Sequence, residues 1–252
     1  MPSGSALPSP AARLPSPDPA RPLSGSPHTL AVPILMYHVI SSPSADARYP
    51  SLFVNSGEFV AQLRYLVTHG YHAVTLQQLY DFWHGRGRLP RRPVVLSFDD
   101  GNPSDFLVAA PLLRELGWPG VLNLIVRNTW PGYDIHPAMV RALIAAGWEI
   151  DSHSVDHRDL TRLSGAELKA ELAGSRAALR RRFQVPANFF CYPGGRVDSS
   201  VAAAVRAAGY LAATTSHNGL ADPGQGMYRL DRVRVRGGQA LAAFAASLTG
   251  GE

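Results

Sequence analysis

Two adjacent carboxylates, Asp99 and Asp100, close the apolar run Pro93 to Phe98 and are followed by Gly101. Neighbouring residues of a strand point to opposite faces unless the strand is already turning. The pair can therefore divide labour, one carboxylate on a metal ion and one on a water. The blander reading is a strand-to-loop turn, since Asp-Gly is a common turn pair. About fifty residues further on stands His153-Ser154-Val155-Asp156-His157. An HxxxH spacing on a helical turn puts both imidazoles on one face, within reach of one ion, although alone such a pair is often incidental. With the aspartates it completes a two-histidine, one-carboxylate set that leaves positions for water, a pattern suited to a hydrolytic or oxygen-activating metal. A third cluster, Phe190 to Gly195, carries an aromatic strand end into a Pro-Gly-Gly turn. Such a turn can bring backbone N–H groups close to a ligand, or be a turn and nothing more.

All three clusters follow segments that read as strands. Strands are expected at Val32 to Tyr37, Tyr71 to Val74, Val94 to Phe98, Val121 to Val126, Glu149 to His153, Asn188 to Tyr192, Leu211 to Thr215 and Arg232 to Val235. Between them, helical spacing runs over Ser56 to His69, Leu76 to Trp83, Pro111 to Gly117, Pro137 to Gly147, Ser164 to Phe183 and Ser199 to Ala208. Ser164 and Glu167 stand in capping-box spacing at the start of the longest helix. Repeated strand-then-helix order argues a parallel sheet covered by helices. About seven strands in this length suit one distorted (β/α) barrel, with its chemistry at the strand C-terminal ends. Residues 1–29, rich in Pro, Ser, Ala and Gly, read as a disordered leader, and residues 30–252 as a single catalytic domain.

Composition narrows the function further. The 252 residues carry a formal charge of +5, which suits anionic surfaces but reads first as a solvated excess. No basic stretch interleaved with aromatics suggests a nucleic-acid platform, so no nucleic-acid partner is expected. No run approaches the length of a membrane span, and the leader lacks the apolar run of a secretory signal. The one cysteine, Cys191, cannot form an intrachain disulfide or a cysteine-ligated metal site, so any metal must use histidine and carboxylate. Its expected role is a small buried hydrophobe.

In order and spacing, SFDDG (97–101), HSVDH (153–157) and FCYPGG (190–195) resemble the polysaccharide deacetylases of the NodB-homology type, carbohydrate esterase family four. The likeness covers about Val32 to Val235. The opening strand, Pro33 to His38, is similar to that of the poly-N-acetylglucosamine deacetylase branch. The resemblance implies a hydrolase of carbon–nitrogen bonds other than peptide bonds, one that removes N-acetyl groups from a glycan outside the cytoplasm. It implies Asp99 as the base that activates water. It implies Asp100, His153 and His157 as ligands of a divalent metal, zinc first, with cobalt or nickel as alternatives. A backbone N–H near Tyr192 would help hold the developing oxyanion. A monomer is expected, and an N-acetylated glycan is the one partner implied.

The chain departs from that family in places that matter. Many members carry a late Leu-x-His motif whose histidine protonates the leaving amine, and none is present here. His38, ending the first strand, is the expected substitute, because in a closed barrel the first strand lies beside the last. His217 is a weaker rival and reads as a loop residue. Many members also carry an arginine, where Cys191 stands here, that pairs with the catalytic aspartate. Arg232 or Arg234, on a late strand, is expected to supply that pairing. Asn102 and Asp151 stand where an aromatic residue and a glycine are common, which bears on substrate preference. Trp130, in a Pro-Gly loop, is a candidate for stacking on a sugar. Competing readings are a catalytically weak carbohydrate-binding protein on the same fold, which the missing late histidine favours, and an amidase acting on a small non-sugar amide.

Overall fold

The structure is a computed structural model that describes residues 14–19, 22–23, 30–133 and 135–250. Its strands are β1 (Ile34–Tyr37), β2 (His72–Ala73), β3 (Pro93–Asp100), β4 (Val121–Leu124), β5 (Glu149–Ser152), β6 (Phe189–Cys191), β7 (Ala212–Asn218) and β8 (Leu230–Arg234). All pair in parallel, in the order β1-β8-β7-β6-β5-β4-β3-β2. A further pairing of β1 with β3 closes seven of them into the expected (β/α) barrel. The two-residue β2 joins only the start of β3. The distortion is local. β5 meets β6 at the single pair Ser152–Phe190, and the β7–β8 register shifts between Thr214 and Asn218.

The strands are buried on both faces, which explains their near-continuous apolar runs. Seven of the eight β3 residues are buried. On its helix side, Phe98 stacks on Tyr37 at 5.4 Å, and Phe59 meets Tyr37 edge-on at 5.3 Å. Phe59 comes from α1 (Ser56–Thr68), which begins at Ser56 as expected, with Asn55 as its cap. Asn55 and Glu58 form a reciprocal capping box. The next helix, α2 (Leu76–Trp83), begins with the Thr75–Gln78 box. α3 (Ala110–Glu115) is preceded by a π-turn, Asp105–Ala109, and α4 (Pro137–Ala145) follows β4. The expected long helix is present as α5 (Gly165–Lys169), a π-turn (Ala170–Gly174) and α6 (Ser175–Phe183), opened by the Ser164–Glu167 box. α7 (Ser199–Ala207) follows β6. A final helix, α8 (Leu241–Ser247), was not expected from the sequence. Its Phe244 ring meets Tyr65 of α1 edge-on.

The expected disordered leader lies mostly outside the described residues. Its described parts touch the barrel: the Leu23 N–H donates to Leu89 O at 2.8 Å, and His72 Nε2 lies 2.8 Å from Asp18 O. No helix of the described residues is long and apolar enough to cross a membrane.

The turn after β3 is held from inside. Asp105 is fully buried, and one of its oxygens accepts the Asn102 N–H at 2.9 Å. The other has no partner among the described residues. Burial, reinforced by the charges of Asp100 and Asp99, outweighs that hydrogen bond and holds the carboxyl well above the usual carboxylate range. Its folded pKa exceeds its unfolded one, so its contribution to stability is lost as pH rises from the unfolded value through the folded one. Asp105→Asn should therefore raise the melting temperature relative to the parent at pH 8, by more than at pH 5. An equal or larger gain at pH 5 would show that the buried group is not protonated.

Candidate active site

The strand C-terminal ends surround a cleft of about 430 Å³ lined by Met36, His38, Asp99, Asp100, His153, His157 and Arg232, among others. Asp99, one residue before the end of β3, points inward and is 2% exposed. Two guanidinium nitrogens of Arg232 reach it side by side, Nη1 to Oδ1 at 2.8 Å and Nη2 to Oδ2 at 2.7 Å. Asn123, its register partner on β4, donates to Oδ1 at 2.8 Å, and the Cys191 thiol lies 3.7 Å from Oδ2. Arg232, 1% exposed, is held in turn by Thr215 O and Ser97 Oγ. Burial alone would push the Asp99 pKa up. The Arg232 charge and hydrogen bonds outweigh it and hold the carboxyl far below the usual range.

Asp100 should face away from Asp99 in a continuing strand. It does not, because its φ of 77° turns the chain into the left-handed region. Asn128 Nδ2 binds the Asp100 carbonyl at 3.0 Å and steadies this bend. The Asp100 carboxylate then faces two imidazoles, with Oδ1 3.5 Å from His153 Nε2 and 3.8 Å from His157 Nε2.

The histidines do not meet on a helical turn, as the HxxxH spacing suggested. β5 ends at Ser152, and residues 153–157 form a loop with Ser154 (φ 69°) and His157 (φ 57°) left-handed. The loop curls back so that the rings lie 4.8 Å apart. Glu171, buried in the π-turn between α5 and α6, accepts the N–H groups of Val155 and Asp156 at 2.8 and 3.0 Å. π-turns recur at functional sites, and this one aims a carboxylate that fixes the loop. Sequence reading missed Glu171, because nothing in the local sequence marks a π-turn.

These donors suit a divalent cation. Asp100, His153 and His157 each offer one ligand atom within 4.8 Å of the others. His153 Nδ1 lies 2.7 Å from Cys191 O. That contact places the proton on Nδ1 and turns Nε2 toward the cluster, the orienting bond typical of metal-ligating histidines. Burial pulls the His153 pKa down, but Cys191, Asp99 and Asp100 raise it to about 10, so these surroundings favour positive charge.

The remaining expected residues are also placed. His38, one residue past the end of β1 rather than its last residue, lines the cleft and has Nε2 3.9 Å from Asp99 Oδ2. Asn102 ties it down, donating to both His38 O and Asp99 O. Burial lowers the His38 pKa while Asp99 and Asp100 oppose. The Tyr192 N–H already donates to Thr214 O at 3.1 Å, so an oxyanion would compete with a sheet bond there. His217 lies on β7 rather than in a loop, exposed, with Nδ1 3.8 Å from Asp231 Oδ1. Asp151 is buried, and it accepts the Phe189 N–H rather than facing the cleft. Trp130 is exposed but lines a separate hollow with Val126, Val155 and Arg182. The aromatic residue at the cleft rim is Tyr49, 57% exposed, which sequence reading passed over.

The family profile for polysaccharide deacetylases matches residues 86–213, from before β3 to the start of β7. The YxkH protein of Bacillus subtilis (strain 168) is 30% identical over 215 residues, 85% of this chain and 75% of that protein. The chain belongs to the polysaccharide deacetylase family. Within it, the poly-β-1,6-N-acetyl-D-glucosamine N-deacetylase of Escherichia coli (strain K12) is 34% identical over 87 residues, 34% of this chain and 13% of that protein. A solved deacetylase of Streptococcus pyogenes, PplD in complex with acetate, shares the fold with a TM-score of 0.81 at 23% identity, covering 87% of this chain and 99% of that one. As a family member this chain is a polysaccharide deacetylase, and its matched segment contains all three motif clusters.

Removing the arginine beside Asp99 would leave a buried charge without its partner. Arg232→Ala should lower folding stability at neutral pH by about 3–5 kcal/mol. In the parent, the depressed Asp99 pKa adds stability that is present above the unfolded pKa and lost as pH falls through the folded one. The deficit of the variant should therefore shrink on acidification. Urea unfolding across pH checks this, and a small, pH-independent deficit would count against the pairing.

Proposed function

We propose that this polysaccharide deacetylase is metal-dependent and removes N-acetyl groups from an N-acetylglucosamine-containing glycan outside the cytoplasm, releasing acetate. The observation that carries it is the division of the aspartate pair: Asp100 turned onto two histidines, Asp99 held apart by Arg232. The substrate class is supported by the name of the Escherichia coli relative, a poly-β-1,6-N-acetyl-D-glucosamine N-deacetylase.

Asp100, His153 and His157 would hold the cation. Zinc fits a set of one carboxylate and two imidazoles that leaves coordination positions free, and cobalt or nickel would serve the same ligands. Bound there, a divalent cation supplies a Lewis acid for the amide carbonyl and acidity for a water. Asp99 takes the proton of the attacking water. Arg232 keeps Asp99 ionised, and by the same charge makes it a weak base. The water it deprotonates must itself be acidic, which is why this geometry calls for a cation. The oxygen adds to the carbonyl carbon, the C–N bond breaks, and acetate and a sugar amine result. The amine needs a proton to leave, and His38 is positioned to give it. Burial disfavours the charged form of His38, so the proton it gives would be the one Asp99 took from the water, passed to Nε2 3.9 Å away. A backbone N–H near Tyr192 helps hold the oxyanion, shared with or released from Thr214 O.

Metal-stripped protein should release no acetate from N-acetylglucosamine oligomers, and added Zn²⁺ should restore release. Asp99→Asn and His38→Ala should each keep zinc binding, measured by calorimetry, while losing about a hundredfold or more in kcat. Zinc binding without acetate release, with Co²⁺ and Ni²⁺ equally inactive, would turn the assignment to a glycan-binding protein. Full turnover in His38→Ala would remove that residue from the mechanism.

A further inference from the structure

Arg232 and Arg234 lie two residues apart on β8 and so on one face of the strand. Only the deeper one is partnered. Arg232 gives all three of its guanidinium nitrogens to acceptors. Arg234 lines the same cleft and is half-buried, yet its guanidinium has no hydrogen bond or ion pair with any described residue. Its backbone N–H alone is engaged, by Asn218 Oδ1 at 3.1 Å.

Apart from Asp99, the charges that act on it are of its own sign. Burial first, and then the charges of Arg236 just past the strand and of Arg232, disfavour the charged form of Arg234, and Asp99 opposes them. Arg48 stands over the Tyr49 ring at the cleft rim, 5.2 Å from its centroid. The carboxylates of the cleft are already committed, Asp99 to Arg232 and Asp100 to the two histidines. A guanidinium that has lost water without gaining an acceptor is poorly solvated, and a ligand bringing an acceptor relieves this. The planar fork of arginine matches a carboxylate with two parallel hydrogen bonds, as Arg232 already shows one layer deeper. Two residues along a parallel strand place Arg234 roughly 6–7 Å further toward the mouth than Arg232. That is the side from which a neighbouring sugar would approach.

We propose that Arg234 is a specificity-determining residue that binds a carboxylate on the sugar next to the one being deacetylated, so that the preferred substrate is an anionic glycan rather than a neutral one. This rests on the deacetylase assignment above and narrows it.

The test uses the zinc-loaded full chain and two oligomers. One alternates N-acetylglucosamine with N-acetylmuramic acid, whose ether side chain ends in a carboxylate. The other is the same oligomer with each carboxylate converted to the neutral amide. The measured quantity is the ratio of kcat/KM for acetate release between the two, which does not depend on the fraction of active protein. The parent should prefer the acid form by about tenfold or more, the scale of one charge-assisted pair. The preference should fall with added salt, collapse toward one in Arg234→Gln, and return in part in Arg234→Lys. A ratio near one in the parent, or one unchanged in Arg234→Gln, would overturn the proposal. If neither oligomer releases acetate while N-acetylglucosamine homo-oligomers do, the proposal is overturned; if those release none either, the deacetylase assignment fails instead. Calorimetric binding of the same pair then decides the role of Arg234. Tighter binding of the acid form that Arg234→Gln abolishes supports it, and equal binding overturns it.

Discussion

The buried contact between Asp99 and Arg232 is the constraint around which the mouth of the barrel is built. It joins β3 to β8 across the inside of the closed sheet, with β1 between them. A charge pair in such a place stabilises only when each remaining donor and acceptor is satisfied. Here Ser97, Thr215 and Asn123 satisfy them. One consequence is electrical: Asp99 meets the substrate as an anion, able to accept a proton. Another is spatial: Asp99, within 4.8 Å of His153 and committed to Arg232, leaves Asp100 as the carboxylate turned toward and grouped with both histidines.

That turning depends on backbone that costs energy. Asp100, Ser154 and His157 all adopt positive φ, which side chains larger than hydrogen tolerate poorly. Aspartate and histidine accept it better than most residues. The surroundings hold these bends in place: Asn128 on the Asp100 carbonyl, and Glu171 and Ser154 Oγ on the histidine loop. Local strain gathered at the residues proposed as ligands, with support from elements distant in sequence, is the pattern expected of a pre-organised site.

Much of this was legible in the residues. The strand-then-helix rhythm, the capping box at Ser164 and the three motif clusters at strand ends placed the barrel and its working face. What was not legible has physical reasons. The HxxxH spacing suggested a helical turn because i and i+4 meet on a helix. Two left-handed residues bring the same atoms together in a loop, and only glycine would have advertised such bends. Arg232 and Arg234 share a strand face, so alternation could not choose between them; depth in the barrel decides, and depth depends on the neighbouring strands. Glu171 acts from a π-turn whose sequence is that of an ordinary helix. Tyr49 lies in a segment with no periodicity to read.

Asp99 and Arg232 are separated by 133 positions in the chain. Contacts of such separation form late, because the loop between them must close before they contribute. The strand carrying Asp99 is complete long before the one that neutralises it emerges from synthesis. Until β8 arrives, Asp99 remains solvated, the β1–β8 seam is open, and His38 has no fixed place beside the carboxylate. A polypeptide stopped short of β8 would carry all three motif clusters without the Asp99–Arg232 contact.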